Sequence, residues 1–382
     1  MKFKTNQLLL TTVLLSCFSN YFYAQNSTLK EAYKEAFKIG CSVNGSIIQG
    51  FDKQSQEIVI REFNSITSEN DMKAESLHPR PDVWNFEAAD RFVQFGKDNN
   101  MFIIGHTLIW HNQTPDWYFT NNQGEPKSKD EMIEFMRNYI EIVAGRYSGK
   151  IDAWDVVNEV IDNDGTYRPT TWVNSFGNGD EMVKMAFKFT EQYAPGTELY
   201  YNDFNAWRPT KRDGIARMIR MLQKEGIRVD GIGMQGHWGL NFPKIEYIKA
   251  AIDTFASLGV KVMITELDVD VLPLTREGQI IGKIMSDPQF QLEEFKTYLD
   301  PYREGLPENV EQQLTDKYAE LFKIFYDRKE YIDRVTLWGV HDGMSWKNGY
   351  PIPGRINYTL LYRRDRTPRP AFEAVLNVPK KE

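Results

Sequence analysis

The amino-acid sequence predicts a single α/β domain, a (β/α)8 TIM barrel, from the order and spacing of its apolar segments. Short apolar runs typical of β-strands alternate with longer segments whose apolar residues recur every three or four positions. Strands separated by helices pair in parallel, and eight such units can close into a barrel. No Pro/Ser/Gly-rich linker, low-complexity segment or internal repeat interrupts the series, so we expect one domain over residues 25–382.

Eight segments have the length and apolar content of buried strands. In chain order they are Phe37–Val43, Phe63–Ser68, Phe102–Ile109, Ile151–Val157, Thr197–Asn202, Val229–Gln235, Val260–Leu267 and Arg334–Val340. Helical periodicity is clearest over residues 132–147, 215–222, 248–258 and 314–325, and we expect these apolar stripes to form core. The connection from about Val271 to Pro307, after the seventh strand, is unusually long, and we expect a loop that walls the site rather than a second domain.

Composition and charge exclude several classes of protein. Of the 382 residues, 41% are apolar and 26% charged, which supports a sizeable core and excludes wholesale disorder. The formal net charge of -7 argues against nucleic-acid binding, which usually requires a basic surface. After the N-terminal segment, no apolar run is long enough to span a bilayer.

Residues 1–24 have the features of a secretory signal peptide. Lys2 and Lys4 precede a short apolar run, and Ala24 supplies a small residue at the break. Residues 14–17 also resemble a bacterial lipoprotein box, so lipid attachment at Cys17 is an alternative; either interpretation predicts export. If the cut follows Ala24, Cys41 is the remaining cysteine, and we expect it to be a small buried hydrophobe.

Polar and aromatic residues collect where the predicted strands end, which is the face on which barrels of this type carry their chemistry. In chain order they are Glu69, Asn70 and Lys73; His106, Trp110, His111 and Gln113; Asn158 and Glu159; Tyr201, Asn202 and Asp203; Gln235, His237 and Trp238; Glu266 and Asp268; and Trp338, His341, Asp342 and Trp346. We therefore expect a polar, aromatic-lined site on one rim of the barrel.

Two glutamates stand out in this set because each ends an otherwise apolar strand. Glu159 follows the fourth strand and Glu266 lies on the seventh, and these strands are nearly opposite in an eight-stranded barrel. Two facing carboxylates in a groove of amides and aromatic rings suit the cleavage of glycosidic bonds. A salt bridge to a neighbouring loop is the alternative for either glutamate considered alone.

Six segments carry a resemblance to a known family. They are FNSITSENDMK (63–73), GHTLIWH (105–111), WDVVNE (154–159), YND (201–203), DGIGMQGH (230–237) and ITELD (264–268). Together they resemble glycoside hydrolase family 10, which consists mainly of endo-β-1,4-xylanases built on a (β/α)8 barrel. The match extends from about residue 28 to the end of the chain.

The resemblance implies a retaining double displacement in which Glu159 is the acid/base and Glu266 the nucleophile. Glu159 must then hold a proton near neutral pH, whereas Glu266 must stay ionised. His237 would orient Glu266, with Asp268 behind the imidazole, and Asn158 would hydrogen-bond the sugar 2-hydroxyl.

The resemblance also implies a set of sugar-binding residues. Glu69, Asn70, Lys73 and His106 would hold sugars on the non-reducing side of the cleaved bond, with Trp110 and Gln113 completing that wall. Tyr201 would stack on the leaving-group side, and Trp338 and Trp346 would offer flat faces to sugar rings. Asn202, Gln235 and His341 complete the set; at 341–343 the chain departs from the family pattern, with His-Asp-Gly where many relatives have Thr-Asp-Ser.

Three other functions are compatible with parts of the sequence. A metal-dependent hydrolase would use histidines at strand ends, but only His106 and His111 are close in sequence and no His-Glu-x-x-His helix is present. A non-catalytic sugar-binding barrel would be expected to lack one of the two glutamates, and a β-1,4-glucanase would share the mechanism. We expect a secreted, cofactor-free, metal-free xylanase that acts on xylan as a monomer.

Overall fold

The computed structural model describes residues 28–272, 299–350 and 354–381. The predicted signal peptide, including Cys17, lies outside these residues, as does the segment 273–298 of the long connection. Within the described ranges, no helix combines the length and apolar character needed to cross a membrane.

Parallel strands form a closed barrel, which confirms the predicted (β/α)8 fold. The strands are β1 (Lys38–Val43), β2 (Ser65–Ser68), β3 (Phe102–Ile109), β4 (Ala153–Asn158), β5 (Glu198–Asp203), β6 (Gly231–Met234), β7 (His237–Gly239), β8 (Lys261–Asp270) and β9 (Ile332–Leu337). Neighbours pair in the order β6-β5-β4-β3-β2-β1-β9-β8, and β6 pairs with β8 to close the ring. The short β7 pairs with β8 beyond the end of β6.

Helices separate most of the strands and cover the outside of the barrel. They are α1 (Leu29–Ala32), α2 (Gly45–Ile48), α3 (Lys53–Glu62), α4 (Ala74–Leu77), α5 (Glu87–Asp98), α6 (Lys129–Arg146), α7 (Thr171–Phe176), α8 (Gly179–Tyr193), α9 (Pro209–Lys224), α10 (Ile245–Ala256), α11 (Glu308–Tyr326) and α12 (Pro370–Leu376). A capping box between Ser128 and Glu131 fixes the start of α6. The four apolar stripes predicted from periodicity lie on α6, α9, α10 and α11 and are buried.

Strand bounds differ from the prediction by up to three residues, and two differences affect the rim. The seventh barrel strand continues to Asp270, so Asp268 lies within β8 rather than after it. The sixth strand ends at Met234, earlier than predicted, because the backbone turns at Gly236, which has a φ of 87°. The separate strand β7 then begins at His237. A three-residue strand has too little pattern to be recognised in the sequence.

Side chains fill the barrel on both faces of its sheet. A small inner cluster contains Ile104, Ala153, Tyr200 and Met263, whereas the large cluster lies between strands and helices. Cys41 is unpaired and fully buried, and burial raises the pKa of its thiol, as expected for a small hydrophobe.

A substitution at Gly105, on β3, would test how closely neighbouring strands of this sheet pack. Gly105 faces Trp154 in the β3–β4 register, and a Cβ at this position would overlap the indole ring. We expect Gly105→Ala to lower the free energy of unfolding by about 1–3 kcal/mol through overpacking, measured by urea denaturation.

Gly145→Ala is the matched control, since Gly145 lies within α6 and its added Cβ would come no closer than 3.8 Å to the Tyr193 carbonyl oxygen. That change should be neutral or stabilising, by up to about 1 kcal/mol. Equal effects of the two substitutions would contradict the described packing.

Candidate active site

The backbone of the barrel positions both predicted catalytic glutamates, one directly after a strand and one within a strand. Glu159 directly follows β4, and its N–H donates to the Asn202 carbonyl over 2.9 Å. Glu266 lies within β8, four residues before its end, and its N–H donates to the Gln235 carbonyl over 2.6 Å. The two side chains are buried, with exposed fractions of 8% and 5%.

Irregularities of the backbone orient the side chains of Glu159 and Glu266. Glu159 has a φ of 60°, a left-handed backbone that is costly for a residue with a Cβ and is concentrated at functional sites. The pairing of β8 with β9 shifts between Ile264 and Leu267, on either side of Glu266. Such shifts re-aim a side chain relative to the regular alternation of a strand.

Amide side chains connect the two carboxylates. Asn202 donates from Nδ2 to Glu266 Oε1 over 2.8 Å and to Asn158 Oδ1 over 3.0 Å, while Thr265 donates to Asn202 Oδ1. On the other side, Gln235 donates to Glu159 Oε1 over 2.8 Å. Asn202 is fully buried and Gln235 nearly so, so both support the carboxylates rather than line an open surface.

Glu159 receives hydrogen bonds from neutral groups only. Besides Gln235, the Trp110 indole donates to its Oε2 over 2.9 Å, and the Asn158 amide lies 3.3 Å from its Oε1. All three donors are uncharged side chains, in contrast to the imidazole that contacts Glu266.

Glu266 has a charged partner instead. His237 Nε2 lies 3.1 Å from Glu266 Oε2, and its Nδ1 lies 2.9 Å from Asp268 Oδ2, which also accepts from the Trp346 indole over 2.8 Å. Burial opposes charge on His237, but Asp268 and Glu266 raise its pKa to about 9. Burial likewise acts to raise the pKa of Glu266, but hydrogen bonds from His237 and Asn202 and the nearby histidine charges lower it overall.

The residues predicted to bind sugar on the non-reducing side form one wall. Lys73 Nζ donates to Asn70 Oδ1 over 3.0 Å and to Gln113 Oε1 over 2.8 Å, and it lies 5.0 Å from the centre of the Trp110 ring. Burial raises the pKa of Glu69, although the charge of Lys73 opposes that shift.

His106 and the two tryptophans of the last strand end lie beside this wall. Asp155 Oδ2 lies 2.8 Å from His106 Nδ1 and orients the imidazole. The Trp338 ring is 5.4 Å from His106 and 6.4 Å from His237, so it closes the centre of the site. Trp346 packs against His237 at 4.8 Å.

The structure does not place Tyr201 in the groove. Adjacent residues of a strand point to opposite faces, so Asn202 points into the barrel mouth and Tyr201 points out towards the helices. Its ring is fully buried, and its hydroxyl donates to Asp203 and accepts from the Ile161 N–H. A ring without exposed surface cannot stack on a sugar.

His341 also differs from its predicted role. Its Nε2 lies 3.5 Å from Asp52, and its Nδ1 accepts from the Gly343 N–H, so its polar partners are away from the two glutamates. Burial, followed by the charge of Arg366, lowers the pKa of His341, which suits a neutral acceptor.

Sequence reasoning missed two supporting residues. Asp155, which orients His106, is a charged residue inside an apolar strand, and that unusual position was a usable signal. Arg168 donates to the Glu159 carbonyl over 3.1 Å, and nothing in its sequence context indicated that contact.

Among residues 28–272, 299–350 and 354–381, no cluster of three or more His, Cys, Asp or Glu side chains has the geometry of a metal site. His106 and His237 are instead each engaged by an aspartate. The arrangement therefore places one buried carboxyl group among neutral donors and the other beside a histidine.

Comparison with known proteins finds a family match over almost the whole chain. The family model described as Glycosyl hydrolase family 10 matches residues 28–378. The chain is 37% identical to the Endo-1,4-beta-xylanase A of Xylanibacter ruminicola over 93% of its own length and 94% of that protein. It is 35% identical to the Endo-1,4-beta-xylanase of Geobacillus stearothermophilus over 92% and 98% of the two chains.

Solved structures of similar proteins share the (β/α)8 fold with this chain. A GH10 endoxylanase retrieved from a sugarcane soil metagenome superposes with a TM-score of 0.85 at 38% identity, over 92% of this chain and 99% of the other. A mutant in complex with xylotriose superposes with a TM-score of 0.80 at 35% identity, over 92% and 99%.

The charge on His237 can be measured directly. Its folded pKa of about 9 lies above the ordinary value of 6.5, so the stabilisation from the imidazolium is complete below pH 6.5 and is lost as pH rises through about 9. We expect NMR titration to show His237 protonated at pH 7, while His341 is already neutral.

Asp268→Asn is the informative variant, because it removes one of the two carboxylates that hold the proton. It should move the His237 midpoint to lower pH and reduce the loss of unfolding free energy between pH 6.5 and 9. A His237 that deprotonates below pH 7 in the unaltered protein would contradict the described charge pattern.

Proposed function

The chain belongs to glycosyl hydrolase family 10, and we propose that Glu159 is the acid/base and Glu266 the nucleophile of its retaining double displacement. It is an endo-β-1,4-xylanase, which hydrolyses internal bonds of xylan. One observation carries the assignment of the two roles. Glu266 is paired with a protonated histidine, whereas Glu159 has neutral hydrogen-bond donors only.

The first step forms a covalent intermediate. Glu266 Oε attacks the anomeric carbon as the bond from that carbon to the leaving oxygen breaks, and Glu159 gives its proton to that oxygen. In the second step Glu159 takes a proton from water, the water oxygen attacks the same carbon, and the bond to Glu266 breaks. Two inversions leave the configuration unchanged, and Glu159 recovers its proton.

The supporting residues act on these two steps. His237 and Asn202 keep Glu266 ionised and oriented, which holds it ready to attack. Asn158, between the two carboxylates, is positioned to hydrogen-bond the sugar 2-hydroxyl, a contact that strengthens in the transition state. Lys73, with Asn70 and Gln113, presents a polar wall to the preceding sugars.

The substrate preference follows from the closed centre of the site. Xylose lacks the hydroxymethyl group that glucose carries on C5. Trp338 is buried beside His106 and His237 at the barrel mouth, and we infer that its ring restricts the room for a hydroxymethyl group there. This packing supports xylan over β-1,4-glucan.

We also infer that residues 1–24 are a signal peptide and that residues 25–382 form an exported, monomeric catalytic domain. The basic start, apolar middle and Ala24 support export. Mass spectrometry of the exported protein tests this directly: a mature chain that begins at Gln25 supports it, whereas a lipid-modified Cys17 would indicate anchoring. Sedimentation analysis tests the monomer.

Product analysis tests the reaction and its stereochemistry. We expect short xylo-oligosaccharides from xylan, with β-configured new ends detected first by NMR, because a double displacement retains configuration. Carboxymethylcellulose, treated in parallel, should be degraded much more slowly. Products with α-configured ends would exclude the retaining mechanism.

Substitution of each glutamate tests the two roles. Glu159→Ala and Glu266→Ala should each lower xylan hydrolysis by several orders of magnitude without loss of the fold, as checked by circular dichroism. Glu159→Ala should recover partly on aryl xylosides with good leaving groups, which need little protonation, whereas Glu266→Ala should not.

Glu330→Ala is a matched control, since this glutamate is exposed at the amino end of the barrel. It should retain full activity. Turnover close to that of the unaltered enzyme in either catalytic variant would refute the assignment.

A further inference from the structure

The inner face of the barrel is divided into an apolar part and a polar part. Strands β3, β4, β5 and β8 supply the apolar inner cluster of Ile104, Ala153, Tyr200 and Met263. On the neighbouring strands β9, β1 and β2, several of the buried side chains that alternate with the outer core are polar. Barrel interiors are mostly filled by bulky branched apolar residues, so the polar part needs a physical explanation.

Arg334 is the charged member of the polar part. Val335 and Leu337 belong to the outer core, so the alternation along β9 turns Arg334 and Thr336 into the barrel. Arg334 is only 1% exposed. Its Nη1 lies 3.5 Å from Thr67 Oγ1, and its Nε and Nη2 have no hydrogen-bond partner among the described residues. Most of the five donors of this guanidinium are therefore unused inside the barrel.

The Arg334 side chain crosses the level of Gly40. Arg334 is in register with Lys38, whereas Thr67, which its Nη1 approaches, is in register with Ser42. Gly40 lies between these two levels on β1. Because Gly40 has no side chain, it leaves room for the guanidinium on the inner face of the sheet.

Three buried hydroxyls lie beside this room. Thr336 and Ser65 flank Gly40, since a Cβ on Gly40 would lie 3.0 Å from Thr336 Oγ1 and 3.2 Å from Ser65 Cβ. Ser42 is the next inward residue of β1. None of these three hydroxyls has a hydrogen-bond partner within the described ranges. Guanidinium and hydroxyl donors thus share one buried region in which no described protein group accepts from them.

Arg334 also lacks the opposite charge that a buried cation needs. Two other cations at the amino end of the barrel are paired. Lys38 lies 3.2 Å from Asp333, and Lys261 lies 3.3 Å from Asp333 and 2.6 Å from Glu198. Arg334 forms no ion pair within 4.0 Å in the described part of the chain. A guanidinium stays charged, and a buried charge without a partner is strongly unfavourable.

A lysine-rich cavity opens on the amino face of the barrel, next to this region. It has a volume of about 660 Å³, and its wall includes Lys38, Lys261 and Asp333, the residue directly before Arg334. Lysines outnumber acidic residues along this wall. Their positive charge would raise the local concentration of small anions beside the buried guanidinium.

We propose that Arg334 and the hydroxyls of Ser42, Ser65 and Thr336 bind a small monovalent anion, such as chloride, inside the barrel. Water could satisfy the hydrogen bonds but not the charge, whereas one monovalent anion satisfies both. The anion would join β9, β1 and β2 where the last strand of the ring meets the first. None of these four side chains lines the groove, so the site is independent of the proposed function.

The dependence of thermal stability on chloride tests the site. Tm should rise by about 2–5 °C when about 0.2 M sodium gluconate is replaced by sodium chloride, because the anion binds only to the folded barrel. The two solutions have equal ionic strength, so surface charges are screened equally. Arg334→Met should abolish the rise, and in gluconate it should be at least as stable as the unaltered protein, because it removes an unpaired charge.

Arg137→Met is the matched control. Arg137 lies on α6 and pairs with Glu134 and Glu141 at the surface. This variant should show the same rise in Tm with chloride as the unaltered protein. A chloride effect that is lost equally in both arginine variants would overturn the site.

Thr336→Val keeps the inference testable if Arg334→Met fails to fold. It removes one hydroxyl at nearly constant volume. The chloride concentration that gives half of the rise in Tm should increase about 3- to 10-fold. An unchanged concentration would exclude this hydroxyl from the site and contradict the proposed set of donors.

Bromide locates the anion directly, because it scatters anomalously. Crystals of the full chain grown with sodium bromide should show an anomalous peak in contact with the Arg334 guanidinium and the three hydroxyls. Ordered water at that position, or water that links Arg334 to Asp155, would overturn the proposal. A bromide peak without any dependence of Tm on chloride would indicate an adventitious ion only, and would overturn it too.

Discussion

The protonated His237 between Glu266 and Asp268 is the interaction on which the rest of the site depends. A carboxylate buried among barrel side chains would normally gain a proton, because desolvation disfavours its charge. The imidazolium reverses that tendency, and Asp268 keeps the imidazolium charged in turn. This chain of opposite charges keeps Glu266 ionised although a second buried carboxyl group, Glu159, is joined to it through Asn202 and Asn158.

The sequence predicted the fold and the central glutamates because both depend on strong local patterns. Apolar strands alternate with amphipathic helices, and Glu159 and Glu266 interrupt apolar runs where strands end. The prediction for Tyr201 did not use the alternation of side chains along a strand. Tyr201 is adjacent to Asn202, which points into the barrel mouth, so Tyr201 has to face the opposite side of the sheet and is excluded from the groove. The position of His341 depends on its contact with Asp52, far away in the sequence, which no local pattern encodes.

The groove differs in character along its length. At one end Lys73, Asn70 and Gln113 form a network that is already hydrogen-bonded within itself, so the wall keeps its shape before sugar arrives. Around the two glutamates the site is amide-rich and buried.

Closure of the barrel joins parts of the chain that are far apart in sequence. β1 pairs with β9, and Lys38 contacts Asp333 across 295 positions. Contacts between such distant segments close very long loops, and folds rich in them form slowly. Until β9 has been synthesised, β1 keeps an unpaired edge that other strands could join. The closed ring of strands gives the groove its fixed geometry. It also means that the nascent chain is protected against aggregation through the edge of β1 only after its last strand, β9, has been made.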